Sequence, residues 1–171
     1  MNPLEYALRY AEQGLAVFPT HWIEDGQCSC GDPDCSSAGK HPLYPGGFKI
    51  ASTDAEVIKE WWTTTPKANV AIATGAVSDV FVIDVDVSDG KVGEQSLKAL
   101  ENEVGSLPKD ALVKTGSGGF HIYMRMPDQT VKNSASKIAP HIDVRANGGY
   151  VIAPPSTHKS GNQYEWMNDN V

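Results

Sequence analysis

The chain is 171 residues long, enough to bury one hydrophobic core without covalent staples, and a single domain is expected over residues 1–171. Hydrophobic residues make up 40% and charged residues 20%, which excludes a disordered chain. No apolar run approaches the ~20 residues of a membrane helix, and the N-terminus lacks the basic-then-apolar pattern of a secretory signal. The formal net charge of −7 argues against a protein that simply coats nucleic-acid phosphates, although residues 1–108 carry −9 and residues 109–171 carry +2.

Asn2-Pro3-Leu4-Glu5 starts a helix. Asn2 can cap it, Pro3 fits its first turn, Glu5 completes a capping box, and Gly14 ends it. Leu15 to Phe18 predicts a short strand stopped by Pro19. Residues 20–50 form a long irregular loop holding all three cysteines, and loops of this length in a compact domain are usually functional or metal-stapled. Thr53-Asp54 caps a second helix bearing Val57, Ile58, Trp61 and Trp62, which stops before Pro66. A strand is expected over 69–73, a turn at Thr74-Gly75, and a strong strand from Val80 to Asp86. A helix from Ser88 to Gly105 carries Leu97, Leu100 and Val104 on one stripe. Further strands are expected at 111–115, 119–126, 141–145 and 149–153. The interleaving predicts an α/β (α+β) fold in which helices cover one face of a sheet.

Strand side chains alternate between faces, so Asp84 and Asp86 project together, about 7 Å apart along the strand. Phe81, Ile83 and Val85 point the other way. Two neighbouring carboxylates repel, and a cation between them relieves the repulsion. The segment from Phe120 to Arg125 places His121, Tyr123 and Arg125 on its polar face. The segment from His141 to Arg145 does the same with His141, Asp143 and Arg145. In one sheet these strands gather Asp84, Asp86, Asp143, His121 and Arg145, which suits a two-metal phosphoryl-transfer site. The carboxylates would bind Mg²⁺ or Mn²⁺ through hard oxygen ligands, and the cationic groups would bind phosphate oxygens. The plainer readings are a solvated turn for the aspartates, a satisfied sheet histidine for His121 and an Asp143–Arg145 pair. Tyr123 and Arg125 read as surface or core-edge residues. Ser117-Gly118-Gly119 is either a hairpin turn or a loop offering N–H groups to phosphate.

Cys28-x-Cys30-x4-Cys35-x5-His41 is a separate signal. Three thiolates and an imidazole in a Gly/Pro-rich loop suit tetrahedral Zn²⁺, with His21 as an alternative fourth ligand. Free thiols and a partial disulfide are the competing readings, and an odd cysteine count without an export signal weighs against a disulfide framework.

The ordered set of the Asp84-x-Asp86 strand, the S-G-G-x-H string ending at His121 and the I-D-V-R string around Asp143 resembles the primase–polymerase (Prim-Pol) domain of the archaeo-eukaryotic primase superfamily, in the version found in phage, plasmid and other mobile elements. Ala7 to Pro19, Gly39-Lys40-His41-Pro42, Trp61-Trp62, the stretch from Asn69 to Gly75, and G-G-Y-V-I-A-P-P-S from Gly148 to Ser156 extend the resemblance over about residues 3–166. The resemblance implies an RRM-like catalytic sheet packed with an N-terminal α/β subdomain and the active site in the cleft between them; many relatives lack the cysteines, so the zinc-stapled loop is expected to be an insertion of this lineage that holds the loop bearing Lys40. It implies a template-dependent nucleotidyltransferase, a DNA primase and/or DNA polymerase of EC 2.7.7 type. Asp84, Asp86 and Asp143 would bind the catalytic metals and His121 the triphosphate. Lys40, Arg145, Ser117 and Thr74 would support the nucleotide. The implied partners are single-stranded DNA template, primer and dNTP or NTP, with helical and helicase domains downstream in a longer replication protein. The implied setting is the cytoplasm of a bacterial or archaeal host. A metal-dependent phosphodiesterase or nuclease, and a non-catalytic RRM-like initiator module, are the alternatives.

Overall fold

A computed structural model describes residues 1–168. Its helices are α1 (Pro3–Glu12), α2 (Ala55–Thr64) and α3 (Gly93–Val104). Its strands are β1 (Val17–Thr20), β2 (Ile23–Glu24), β3 (Gln27–Cys28), β4 (Asn69–Ala73), β5 (Val80–Val85), β6 (Leu112–Lys114), β7 (Phe120–Arg125), β8 (Ser134–Ala139), β9 (Ile142–Arg145), β10 (Tyr150–Ala153) and β11 (Glu165–Trp166). They form a three-stranded sheet in the order β1-β4-β10, a six-stranded sheet in the order β11-β6-β7-β5-β9-β8, and a β2-β3 ribbon. Pairing within each is antiparallel. The fold is thus mixed α/β, as the alternation of elements predicts. No helix among the described residues is long and apolar enough to cross a membrane.

Local chemistry explains the helix starts. In α1 the Glu5 backbone N–H donates to the Asn2 side chain at 3.0 Å, and the Asn2 N–H donates to the Glu5 carboxylate at 2.8 Å. Such a cap stabilises a helix by about 1 kcal/mol. Asp54 caps α2 in the same manner. The two helices bury Ala7, Tyr10, Ile58 and Trp62 against the three-stranded sheet, forming the larger core. A second core of Ile83, Val85, Ile122, Ile142 and Val144 lies on one face of the six-stranded sheet, with Leu97 of α3 packed over it.

The opposite face of that sheet is divided. Val82, Val113 and Tyr123 join the larger core, whereas Asp84, two residues beyond Val82, lines a cavity. Tyr123 is therefore a core residue, 8% exposed, rather than an edge residue. The apolar body of its ring fills the contact with Trp166, 5.1 Å between centroids. Arg125 is exposed and pairs with Asp79 at 3.3 Å.

Several predicted boundaries move. Pro19 lies inside β1 instead of ending it, because β1 is an edge strand and tolerates a missing N–H. The helix expected from Ser88 starts at Gly93, after a 3-10 turn over Ser88–Gly90. His141 precedes β9 in a left-handed conformation, φ 59°, so it does not belong to the strand's polar row. Within the 20–50 loop the chain forms the β2-β3 ribbon and a 3-10 turn over Gly47–Ile50. The strand β8 has an irregular register against β9 and a weak apolar pattern, which hides it in the sequence.

Candidate active site and metal centre

The register of the central strands places three ionisable groups in one row. On β5, Asp84 is paired with His121 of β7 on one side and with Asp143 of β9 on the other. Directly opposed residues have Cβ atoms about 5 Å apart, so the backbone ladder itself sets their spacing. His121 Nε2 lies 3.5 Å from Asp84 Oδ1. Arg145 is 3.7 Å from Asp84 Oδ2 and donates to Asp143 Oδ2 at 2.8 Å, while the Ser136 N–H donates to Asp143 Oδ1 at 3.0 Å. His121 is 5% exposed, and burial lowers its pKa. Asp84 opposes that shift, while Lys40 and Arg145 reinforce it. The His121–Asp84 contact is therefore a neutral imidazole beside a carboxylate, not an ion pair, despite its salt-bridge distance. Among the described residues, His121 Nδ1 and Tyr123 Oη are buried without a hydrogen-bond partner.

Asp86 stands just past the end of β5, where the backbone is closely held. Its N–H donates to His141 O at 3.0 Å, and its carbonyl accepts from Gly93 at 3.1 Å. A Cβ on Gly93 would sit 2.3 Å from that carbonyl, and one on Gly119 would sit 2.2 Å from Val85 O. These glycines let two backbones close on the acid pair. The Asp86 carboxylate accepts from Ser88 N at 3.1 Å and Ser88 Oγ at 2.8 Å, and pairs with Lys91. Burial alone would raise its pKa, but the Lys91 and Ser88 contacts outweigh it and hold the carboxyl below the ordinary range.

Two clefts flank the acids, and Lys40 lines both. The first, about 390 Å³, combines Asp84, His121 and Arg145 with Phe48, Asn133, Tyr150 and Tyr164. The second, about 570 Å³, combines Asp86, Lys91 and Ser117 with His158, Lys159, Ser160 and Asn162. Burial lowers the Lys40 pKa, and Asp84 and Asp86 act against the shift. Ser117 Oγ is 3.0 Å from Thr115 Oγ1. Thr74 does not line either cleft: it is buried, and its hydroxyl donates to Ala146 O at 2.7 Å. Asn69 at the start of β4 supports both cleft walls. Its Nδ2 donates to Gly39 O and to Thr157 O, both at 2.9 Å, and its Oδ1 accepts from Thr157 N at 3.0 Å.

Residues not singled out from the sequence complete these walls. His158 and Lys159 lie just past the Gly148–Ser156 string, after Thr157, and their polarity beyond a buried strand is the available signal. Lys91 offered only its position five residues after Asp86. Phe48 and Tyr150 carry no signal a core aromatic would lack.

The loop residues converge on a second centre. The ligand atoms of Cys28, Cys30, Cys35 and His41 lie within 4.8 Å of one another, and among the described residues this is the group able to hold a metal such as zinc. The aspartates thus lack that compactness, with Asp86 drawn to Ser88 and Lys91 and Asp143 to Arg145. Cys28 Sγ is 3.4 Å from His41 Nε2 and 3.5 Å from the Gly39 N–H. Burial would raise the Cys28 pKa, but the Cys30 and Gly39 N–H groups and His41 bring it down to about 6. A thiol so readily ionised, beside an imidazole and two more thiols, fits a soft divalent ion. His21 stands behind the cluster, its ring stacked 4.2 Å from His41 and its Nδ1 2.8 Å from Ser29 Oγ.

These features describe an α/β chain with a carboxylate-and-cation sheet face and a Cys3His cluster able to hold a metal. The chain belongs to the Prim-Pol family: the family model described as bifunctional DNA primase/polymerase, N-terminal, matches residues 7–171. Membership implies a primase/polymerase-type, nucleotidyltransferase-like function, with binding of DNA and nucleotides. No curated protein matches the chain.

Proposed function

We propose that the chain is a template-dependent nucleotidyltransferase, a DNA primase and/or polymerase of EC 2.7.7 type. It would extend a 3′-hydroxyl on single-stranded DNA, from a phage- or plasmid-type replication protein, with residues 1–171 acting as one catalytic domain. The observation that carries this reading is the in-register row His121–Asp84–Asp143 with Asp86 two residues along β5. The two sheets would correspond to an N-terminal α/β part and an RRM-like catalytic part, with the first cleft as the active-site cleft between them.

Asp84, Asp86 and Asp143 supply hard oxygen donors, the chemistry that suits Mg²⁺ or Mn²⁺. Bound there, such ions lower the pKa of the attacking hydroxyl and offset charge on the departing pyrophosphate. In the reaction the 3′-hydroxyl loses its proton to solvent, its oxygen bonds to the α-phosphorus, and the bond from that phosphorus to the oxygen bridging to the β-phosphate breaks, releasing pyrophosphate. Ion-pair partners already stand beside two of the acids, Lys91 by Asp86 and Arg145 by Asp143. From these positions Lys91 and Arg145 could also meet phosphate oxygens of a nucleotide. Lys40 adds a third positive group on the roof of both clefts, and His121 a neutral donor. Phe48 and Tyr150 line the first cleft and are aromatic groups against which a base could pack. The Cys28, Cys30, Cys35 and His41 cluster would hold a structural Zn²⁺ that fixes the loop bearing Lys40, one residue from His41.

The test is a gel assay on single-stranded template with and without primer, comparing dNTP with NTP and Mg²⁺ with Mn²⁺. Nucleotide addition that requires triphosphates is expected. Degradation of the DNA, independent of triphosphates, would support the nuclease alternative instead.

A further inference from the structure

The turn between β8 and β9 holds a residue in a backbone conformation that its side chain disfavours. His141 has φ 59°, in the left-handed region where a Cβ crowds the following carbonyl and which glycine adopts without strain. A strained residue of this kind persists where its side chain is needed. The His141 N–H donates to Ser136 Oγ at 3.1 Å, its carbonyl accepts from the Asp86 N–H at 3.0 Å, and its ring Nδ1 accepts from the Val92 N–H at 3.1 Å. Glycine could make the first two contacts. It could not make the third.

These contacts join two of the acids. Asp143 Oδ1 accepts from the Ser136 N–H at 3.0 Å, and Ser136 passes the link to His141 through its hydroxyl. His141 holds Asp86 from two sides. Directly, its carbonyl takes the Asp86 N–H. Indirectly, its ring takes the Val92 N–H, and Gly93, the next residue, donates to the Asp86 carbonyl at 3.1 Å. Val92 caps α3, and its own side chain offers the helix no hydrogen bond, so the His141 ring fills that place from another element. Asp86 needs such support more than Asp84 does. The pairing of β5 with β9 runs from Val82–Arg145 to Val85–Ile142, so the ladder fixes Asp84 and stops one step short of Asp86. We infer that His141 is a positioning residue for the acids: through Nδ1 it ties the start of α3 to the β8–β9 turn and so holds Asp86 in place beside Asp84 and Asp143. The inference rests on the reading of these acids as metal ligands.

Two substitutions separate the ring from the backbone. His141→Gly keeps both main-chain contacts, relieves the strain and removes Nδ1. His141→Asn tolerates the left-handed region and carries an amide oxygen near the Nδ1 position. Mn²⁺ titration, followed by the paramagnetic resonance of the free ion, reads metal binding, with the Asp84→Ala, Asp86→Ala double variant as the blank. Primer extension at varied Mn²⁺ and thermal melts run in parallel. H141G is expected to melt near the wild-type temperature, since relief of strain is set against the lost ring contact. It is expected to bind Mn²⁺ roughly tenfold more weakly, the scale for loss of a group that supports a metal ligand, and to need correspondingly more Mn²⁺ for half-maximal extension. H141N is expected to recover most of both. Wild-type Mn²⁺ affinity in H141G overturns the inference and leaves a helix cap, whatever the melt shows. Equal weakening in H141G and H141N overturns it as well, and so does wild-type binding no stronger than the blank. A wild-type chain that binds Mn²⁺ but adds no nucleotide, with binding weakened in H141G and restored in H141N, would refute the polymerase reading and leave the positioning role standing. Normal extension by H141G with unaltered Mn²⁺ affinity would refute the positioning role alone.

Discussion

The carboxylate row and the cysteine cluster hold ionisable groups in place by different means. Asp84, His121 and Asp143 occupy adjacent central strands, and the ladder that pairs β7, β5 and β9 sets their separation before any ion binds. Cys28, Cys30, Cys35 and His41 lie in a stretch whose regular structure is one two-residue-per-strand ribbon and a 3-10 turn. What orders that stretch is a set of contacts to its backbone carbonyls. Gly39 O accepts from Asn69 and Thr20, Lys40 O accepts from Tyr150, and His41 O accepts from His21. Like charges placed by a sheet can be brought together at the sheet's expense, because strand pairing and two cores resist their repulsion. A loop has no such reserve, and its geometry depends on what the cluster binds.

That contrast predicts opposite outcomes when each centre is disabled. Replacing Asp84 and Asp86 together with Ala is expected to lower primer extension roughly a thousandfold or more, the scale of losing metal-assisted catalysis. The melting temperature should change little, since relief of repulsion is set against loss of the Asp86 contacts with Ser88 and Lys91. Retained extension in that double variant would dismiss the site assignment, and a collapsed fold would dismiss the view of the sheet as self-sufficient. Chelation, or Cys28→Ser, should act the other way round. Loss of a structural ion is expected to cost at least about 3 kcal/mol, about 10 °C at this length, and to weaken nucleotide binding through Lys40. A protein found free of zinc, with a melt indifferent to chelator, would end the zinc proposal.

A smaller perturbation asks how rigid the row is. Gly119→Ala drives a methyl to 2.2 Å from Val85 O, at the end of the strand bearing Asp84. Gly118→Ala, one residue earlier, meets nothing nearer than 3.8 Å but must hold φ 93°. Urea unfolding should show G119A losing more than about 2 kcal/mol by overpacking and G118A about 1 kcal/mol by backbone strain. Equal losses would mean that the hairpin, and not the close approach to β5, sets the local stability.

The same contrast explains what could be read in the sequence. Asp84, Asp86, His121 and Asp143 were legible because period-two alternation in apolar strands exposes an ionisable residue on a regular face. The cysteines were legible through residue type and spacing, since few other uses gather three thiols and an imidazole in 14 residues. Neither signal reaches the second cleft. His158, Lys159 and Ser160 follow a buried strand without periodicity, and Gly116, which accepts from Ser160, and Asn69, which holds the neighbouring Thr157, are 42 and 89 residues away from His158 in the chain. Tyr123 departs from the position its alternation predicts for a related reason. Alternation puts it on the face of His121, but that face is covered by the N-terminal part at one end and open at the other, which only the packing of the two sheets decides.

The smallest expected effect is a proton's. The His158 pKa stands at about 4 in the folded chain, chiefly through burial, against about 6.5 in an unfolded one. Above pH 6.5 both states are neutral and His158 adds no pH dependence. Below it the unfolded chain takes up a proton that the folded chain refuses, so stability falls as pH drops from 6.5 towards 4. His121 is shifted in the same direction and contributes to the same slope, and Asp86, held below its ordinary pKa, adds its loss only under more acid conditions. Lys40, Lys159 and Asp86 face His158 across the cleft, and the Tyr164 ring, 6.2 Å from it, is raised in pKa by burial and does not titrate in this window. Subtracting the H158N melting curve from the wild-type curve removes every shared group. The gap in melting temperature between wild type and H158N should narrow steadily as pH falls from 7.5 to 4.5. Parallel curves would show that His158 is solvated in the folded state and not held neutral in the wall of the second cleft.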